Sequence, residues 1–130
     1  AGMCCAWNST SSNFACAFQD GTVCAWDLRS GQVLCKLKSR GAARVVKYSS
    51  APMDLLAFTE HERTCHLVDG RTYNTRQTIH VSPEGDRDVN ISGLGFVGDG
   101  SRLYVGTEVA VVAYDIDTAA RRSFPCGALI

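Results

Sequence analysis

The sequence predicts an all-β fold made of three consecutive four-stranded antiparallel units. Three observations predict it. Apolar runs have the length of strands and are broken by Gly, Asn, Asp and Ser. Aspartates recur at Asp27, Asp69 and Asp115, which are 42 and 46 residues apart. Seven residues before each stands an acid: Asp20, Glu62 and Glu108. A fixed period of this length is the mark of a repeated supersecondary unit.

The first unit covers residues 1–37. Its strands are read in "GMCCAW" (2–7), "NFACAF" (13–18), "TVCAWD" (22–27) and "QVLCKL" (32–37). The second covers 42–81, with "ARVVKYS" (43–49), "LLAFT" (55–59), "TCHLV" (64–68) and "RQTIHV" (76–81). The third covers 88–126, with "NISGLGFV" (90–97), "LYVGT" (103–107), a strand ending in Tyr114-Asp115, and "RRSFPC" (121–126). Asp20, Glu62 and Glu108 fall in the turns between second and third strands. Gly98-Asp99-Gly100 has the composition of a hairpin turn between the first two strands of the third unit. That glycine-rich stretch opens no helix, so it is not a phosphate-binding loop.

The third strand of the first unit ends in Trp26-Asp27, and "DGTVCAWDL" resembles the consensus of the WD40-repeat family. The resemblance covers nearly the whole chain as three consecutive blades, with Val68 and Tyr114 replacing Trp in the second and third. It implies a partial or open β-propeller. The glycine–histidine pair that opens a WD unit is absent; "RGAARVV" and "EGDRDV" stand in its place. The family's buried His–Asp hydrogen-bond network is therefore expected to be incomplete. Residues 51–81 also resemble a fungal group of WD-repeat proteins of unknown function. Closed propellers have four to eight blades, so three require further blades of a longer chain or self-association. Blades one and three are expected to show apolar outer faces.

Charge excludes some partners. Thirteen basic and thirteen acidic residues give a net charge of zero, which argues against nucleic-acid binding driven by overall charge. One basic stretch (Lys36, Lys38, Arg40, Arg44 and Lys47) contains no acid and could meet an acidic partner, or be a solvated edge. No apolar run approaches the ~20 residues of a membrane helix. The start lacks a signal peptide's pattern and an initiating Met, the reading of an excised piece of a cytoplasmic or nuclear protein. The seven cysteines are odd in number and form no C-x-x-C pair. Most alternate with apolar residues and read as small buried hydrophobes, reduced and without metal. Cys16, Cys24, Cys35 and Cys65 are expected to be mostly buried.

"HERTCH" (61–66) nearly spells a zinc-peptidase motif. That motif needs a helix to bring its histidines to one metal. Here the flanking runs read as strand, turn, strand. His61 then lies at the turn and His66 on a strand, where it is expected to be a hydrogen-bonded histidine at the core's edge. The Ser9–Ser12 run has no His nearby in sequence and reads as a hairpin loop. No catalytic, cofactor or metal residues are expected; metal-enzyme activity is the weakest of three function classes. The first class is a non-enzymatic scaffold for proteins or peptides. The alternative rests on Asp27-Leu28-Arg29 and Asp69-Gly70-Arg71. These resemble the D-x-R boxes of substrate receptors for cullin-4 RING ubiquitin ligases. The resemblance implies that Arg29 and Arg71 bind the ligase adaptor. A basic residue that merely meets the aspartate and the turn is the simpler reading of both arginines. The third unit, with Asp115-Ile116-Asp117, lacks the arginine.

Overall fold

The chain's structure, a computed structural model, describes residues 2–51, 53–81 and 89–117. Among these it is all-β, with no helix. The first sheet is β1 (Gly2–Trp7), β2 (Asn13–Phe18), β3 (Thr22–Asp27) and β4 (Val33–Lys38), paired in that order. The second is β5 (Ala43–Tyr48), β6 (Leu55–Glu60), β7 (Thr64–Asp69) and β8 (Arg76–His80), again in sequence order. The third is β9 (Ile91–Phe96), β10 (Arg102–Thr107) and β11 (Val111–Asp115). Every pairing is antiparallel.

The expectation of three four-stranded units is met in part. The sheets have four, four and three strands among the described residues. The fourth strand read at 121–126 lies outside them, as does Cys126. Asp27, Asp69 and Asp115 are the last residues of β3, β7 and β11, and Asp20, Glu62 and Glu108 lie in the preceding turns. In the first of these turns the Asp20 carboxylate accepts the Thr22 amide at 2.9 Å. Gly21 follows with φ of +90°, and a Cβ there would come within 2.7 Å of the Gly41 carbonyl oxygen. Only glycine fits that turn.

The sheets stack face to face, β1 against β5 and β5 against β9. The first interface sets small residues of β2 and β3 (Ala15, Ala17, Ala25) against Leu56, Phe58 and Val68. The alanines make room for the larger side chains opposite, so the two faces interlock. The second interface packs Leu55, Ala57 and Leu67 against Ile91, Leu103 and Val105. Covered on both sides, β6 and β7 are buried along their whole length. This explains why "LLAFT" reads as a continuous apolar run and not as an alternation. Each fully buried Leu, Val or Phe contributes on the order of 1.5–3 kcal/mol.

The outer face of the first sheet carries aromatic rings. Trp7, 57% exposed, meets Phe14 edge-on at 5.1 Å, and Phe14 lies 6.1 Å from Trp26. On the third sheet Val111 is 70% exposed. The cysteine expectation is corrected in part. Cys24 and Cys65 are buried, but Cys16 and Cys35 are only half-buried. Cys16 projects from β2 on the side away from the second sheet, and Cys35 sits on the outermost strand β4.

Candidate functional site

A cleft of about 1140 Å³ opens between the first and second sheets. One wall comes from β4 and the segment after it, with Lys38, Ser39 and Arg40. The other comes from β5, the β6–β7 turn and β8, with Arg44, Arg63, Arg76, Thr78 and His80. Its floor is a polar chain. The Gly41 amide donates to Glu60 Oε1 at 2.7 Å, and His66 Nε2 donates to Glu60 Oε2 at 2.7 Å. On the ring's other side, Arg76 Nε and Nη2 donate to His66 Nδ1 at 3.2 and 3.0 Å.

These partners fix the tautomer. A guanidinium can only donate, so Nδ1 must carry the lone pair and Nε2 the proton. The imidazole is therefore neutral. Burial lowers its pKa most; Glu60 opposes this, and Arg76 and His80 add to it. The ring stacks on Phe58 at 4.6 Å, and Arg76 lies over the same phenyl ring at 5.4 Å. Burial also lowers the Arg76 pKa, against the pull of Glu60.

Thr78 Oγ1 lies 3.1 Å from His66 Nδ1. Hydroxyl, imidazole and carboxylate thus stand in the connectivity of a nucleophile triad. Two features work against that chemistry. The Nδ1 lone pair that would take the Thr78 proton already accepts from Arg76. The depressed pKa also makes the ring a weak base.

His61 is apart from His66. It lies exposed in the β6–β7 turn, with Nδ1 2.7 Å from Arg44 Nη1. No group of three or more His, Cys, Asp or Glu able to hold a metal occurs among the described residues. Trp26 is half-buried beside Phe14, and Tyr114 packs against the second interface. The aspartates ending β3 and β7 organise their own turns. Asp27 accepts from the Ser30 amide and hydroxyl, which lowers its pKa. Asp69, fully buried, accepts from the Arg71 amide and the Thr72 hydroxyl. Asp115 accepts instead from Arg102 Nε, at 2.8 Å.

Arg29 and Arg71 both stand two residues beyond these strand ends and are exposed. Arg71 Nε is 3.6 Å from Asp69 Oδ1, so this arginine is held in part by its own sheet. Neither lies in the cleft.

The residues that sequence reasoning missed are Glu60 and Arg76. A carboxylate closing the apolar run "LLAFTE", six residues before a strand histidine, was the available signal. The network differs from the family's, which was expected to be incomplete: carboxylate and imidazole both come from one hairpin, β6–β7. It also leaves a gap, since the buried Thr59 hydroxyl has no hydrogen-bond partner among the described residues.

Comparison with known proteins agrees with this architecture. Residues 41–80, the second sheet and most of one cleft wall, match the uncharacterised protein domain DUF2415. The chain is 32% identical over 126 residues to an uncharacterised protein of Schizosaccharomyces pombe, covering 86% of this chain and 36% of that protein. It is 36% identical over 85 residues to an uncharacterised protein of Saccharomyces cerevisiae, covering 58% of this chain and 12% of that one. It thus spans about a third or less of these fungal relatives. Among solved structures it is similar to the Cps50 (Swd1) β-propeller domain of Myceliophteria thermophila. The TM-score is 0.76 at 19% identity, over 88% of this chain and 38% of that one. This likeness shows the fold: the sheets are blades of a β-propeller.

Proposed function

We propose that the chain is part of a non-enzymatic propeller scaffold, cytoplasmic or nuclear, that binds other proteins or peptides in the cleft between blades one and two. One observation carries this reading. The cleft is large and open, yet its floor groups Glu60, His66 and Arg76 are engaged with one another. A floor of that kind gives shape and charge for recognition, and none of its three groups is left as a free base. Propellers in general offer such surfaces, although a fold by itself does not fix a function.

The test is a display library of proteome fragments selected on the full-length protein, with Thr78→Trp as a cleft-filling variant. Binders that the wild type retains and Thr78→Trp loses support the scaffold reading. A set of binders indifferent to the substitution removes it.

A second reading is a substrate receptor of a cullin-4 RING ubiquitin ligase. It is favoured by the exposure of Arg29 and Arg71 at equivalent strand ends. An arginine at a rim can make charge-assisted bonds to an adaptor. The contact of Arg71 with Asp69 favours the simpler turn-stabilising role. Co-precipitation of full-length protein with the adaptor, wild type against the double Ala variant, decides. Loss of binding in the variant supports the receptor; equal binding, or none by either, ends it.

A further inference from the structure

The cleft has a charge character that the scaffold reading does not use. Among the described residues five cationic side chains line it: Lys38, Arg40, Arg44, Arg63 and Arg76. Two described carboxylates, Glu60 and Glu62, line it as well, and Asp20 lies 4.0 Å from Lys38 at the rim, so the described side chains carry a positive surplus centred on the arginines. Glu60 is turned inward, with one oxygen on the Gly41 amide and the other on His66. Arg40, Arg44 and Arg63 are exposed. They come from three different segments: the β4–β5 connection, β5 and the β6–β7 turn. The positive charge is therefore spread along the cleft.

We propose that this cleft binds an acidic peptide segment, rich in Asp or Glu, of a partner protein; the inference rests on the scaffold reading above. Four arguments select this ligand. Guanidinium groups match carboxylates with paired, directional hydrogen bonds. Charge distributed over two walls suits several carboxylates along an extended chain better than one compact anion. The volume exceeds the roughly 300–1,000 Å³ of small-molecule sites. Among the described residues lining the cleft none is Phe, Tyr or Trp, so there is no platform for stacking bases.

The experiment uses the full-length protein and a labelled Asp- and Glu-rich peptide, read by fluorescence anisotropy. Comparison arms are the Asn/Gln counterpart, an otherwise neutral phosphopeptide and a single-stranded oligonucleotide. The acidic peptide binds, its counterpart does not, and affinity falls as salt rises. Arg40→Glu combined with Arg44→Glu weakens binding by about tenfold or more. Lys36→Glu combined with Lys47→Glu, two exposed reversals outside the cleft, leaves it unchanged and controls for net charge. Thermal melting shows that the variants are folded.

Equal binding of the Asn/Gln counterpart overturns the proposal. So does indifference to the Arg40 and Arg44 reversal, or tighter binding of the phosphopeptide or the oligonucleotide. The two readings fail separately. Cleft-dependent library binders that lack acidic residues end this inference and keep the scaffold. Binders untouched by Thr78→Trp end the scaffold itself.

Discussion

His66 Nε2 donates to Glu60 Oε2 across 2.7 Å, and the two residues belong to one hairpin whose turn they flank. The same carboxylate accepts the Gly41 amide from the connection between blades one and two. Glu60 thus ties the second blade to the segment that enters it. Glu60→Ala leaves the buried His66 donor and the part-buried Gly41 amide without an acceptor. It should destabilise the protein by about 2–4 kcal/mol, read from urea midpoints at unchanged slope. Glu60→Gln keeps one acceptor oxygen and should cost less. Equal midpoints for wild type and Glu60→Ala would remove the network from the stability account.

Thr59 is the neighbour for which no such arrangement exists. Among the described residues its buried side-chain hydroxyl has no partner, while its β-branched shape suits the strand. Thr59→Val keeps the shape and removes the unsatisfied oxygen. The substitution should stabilise the fold by about 1 kcal/mol. A lower melting temperature for Thr59→Val would contradict the finding that the hydroxyl is idle.

At Gly21 the turn and the blade contact coincide. Its φ is +90°, and an added Cβ would press on the carbonyl oxygens of both Ser39 and Gly41. Gly21→Ala should therefore cost more than the ~1 kcal/mol of an ordinary left-handed glycine, because backbone must move as well. Since the displaced carbonyls border the cleft, ligand binding there should weaken with it. A variant as stable as wild type would show that the connection yields easily.

The fold was legible because its signals are periodic. Strand-length runs and the spacing of Asp27, Asp69 and Asp115 carry both blade length and the place of each third strand. The "HERTCH" string could be set aside on the same grounds, since Leu55–Glu60 and Thr64–Asp69 read as strands. The cleft was not legible, because it depends on how two sheets face each other. Lys38, Arg40 and Arg44 stood out as a basic stretch, but nothing local brings Arg76 to His66. Their contact follows from β7 pairing with β8 in one register. The half-burial of Cys16 was equally out of reach, since alternation along β2 does not reveal which side lacks a neighbouring sheet.

The cysteines should report these environments. Burial pushes the Cys65 thiol up to about 12, and its side chain is fully enclosed between blades two and three. Cys5 is exposed on β1. Mass mapping after brief alkylation should find Cys5 labelled early and Cys65 labelled only once denaturant opens the interface. Prompt labelling of Cys65 in the native protein would mean that the second interface opens on the labelling timescale.

The pH dependence of stability follows from the neutral imidazole. In the unfolded chain His66 titrates near its ordinary value of about 6.5. In the fold its pKa is lower, through burial first and through Arg76 and His80, with Glu60 pulling the other way. Between the two values the unfolded chain binds more protons than the folded one, so stability rises with pH there. The contribution is complete above about 6.5 and is lost as pH falls from that point through the folded value. His66→Gln removes the titration while keeping a donor for Glu60 and an acceptor for Arg76. Its unfolding midpoint should change less between pH 7 and pH 5 than that of wild type, even though losing the stack on Phe58 lowers its stability at pH 7. The difference between the two curves isolates His66 from every group that the two proteins share. Parallel curves would mean that the ring takes up its proton in place, with Glu60 outweighing burial and Arg76.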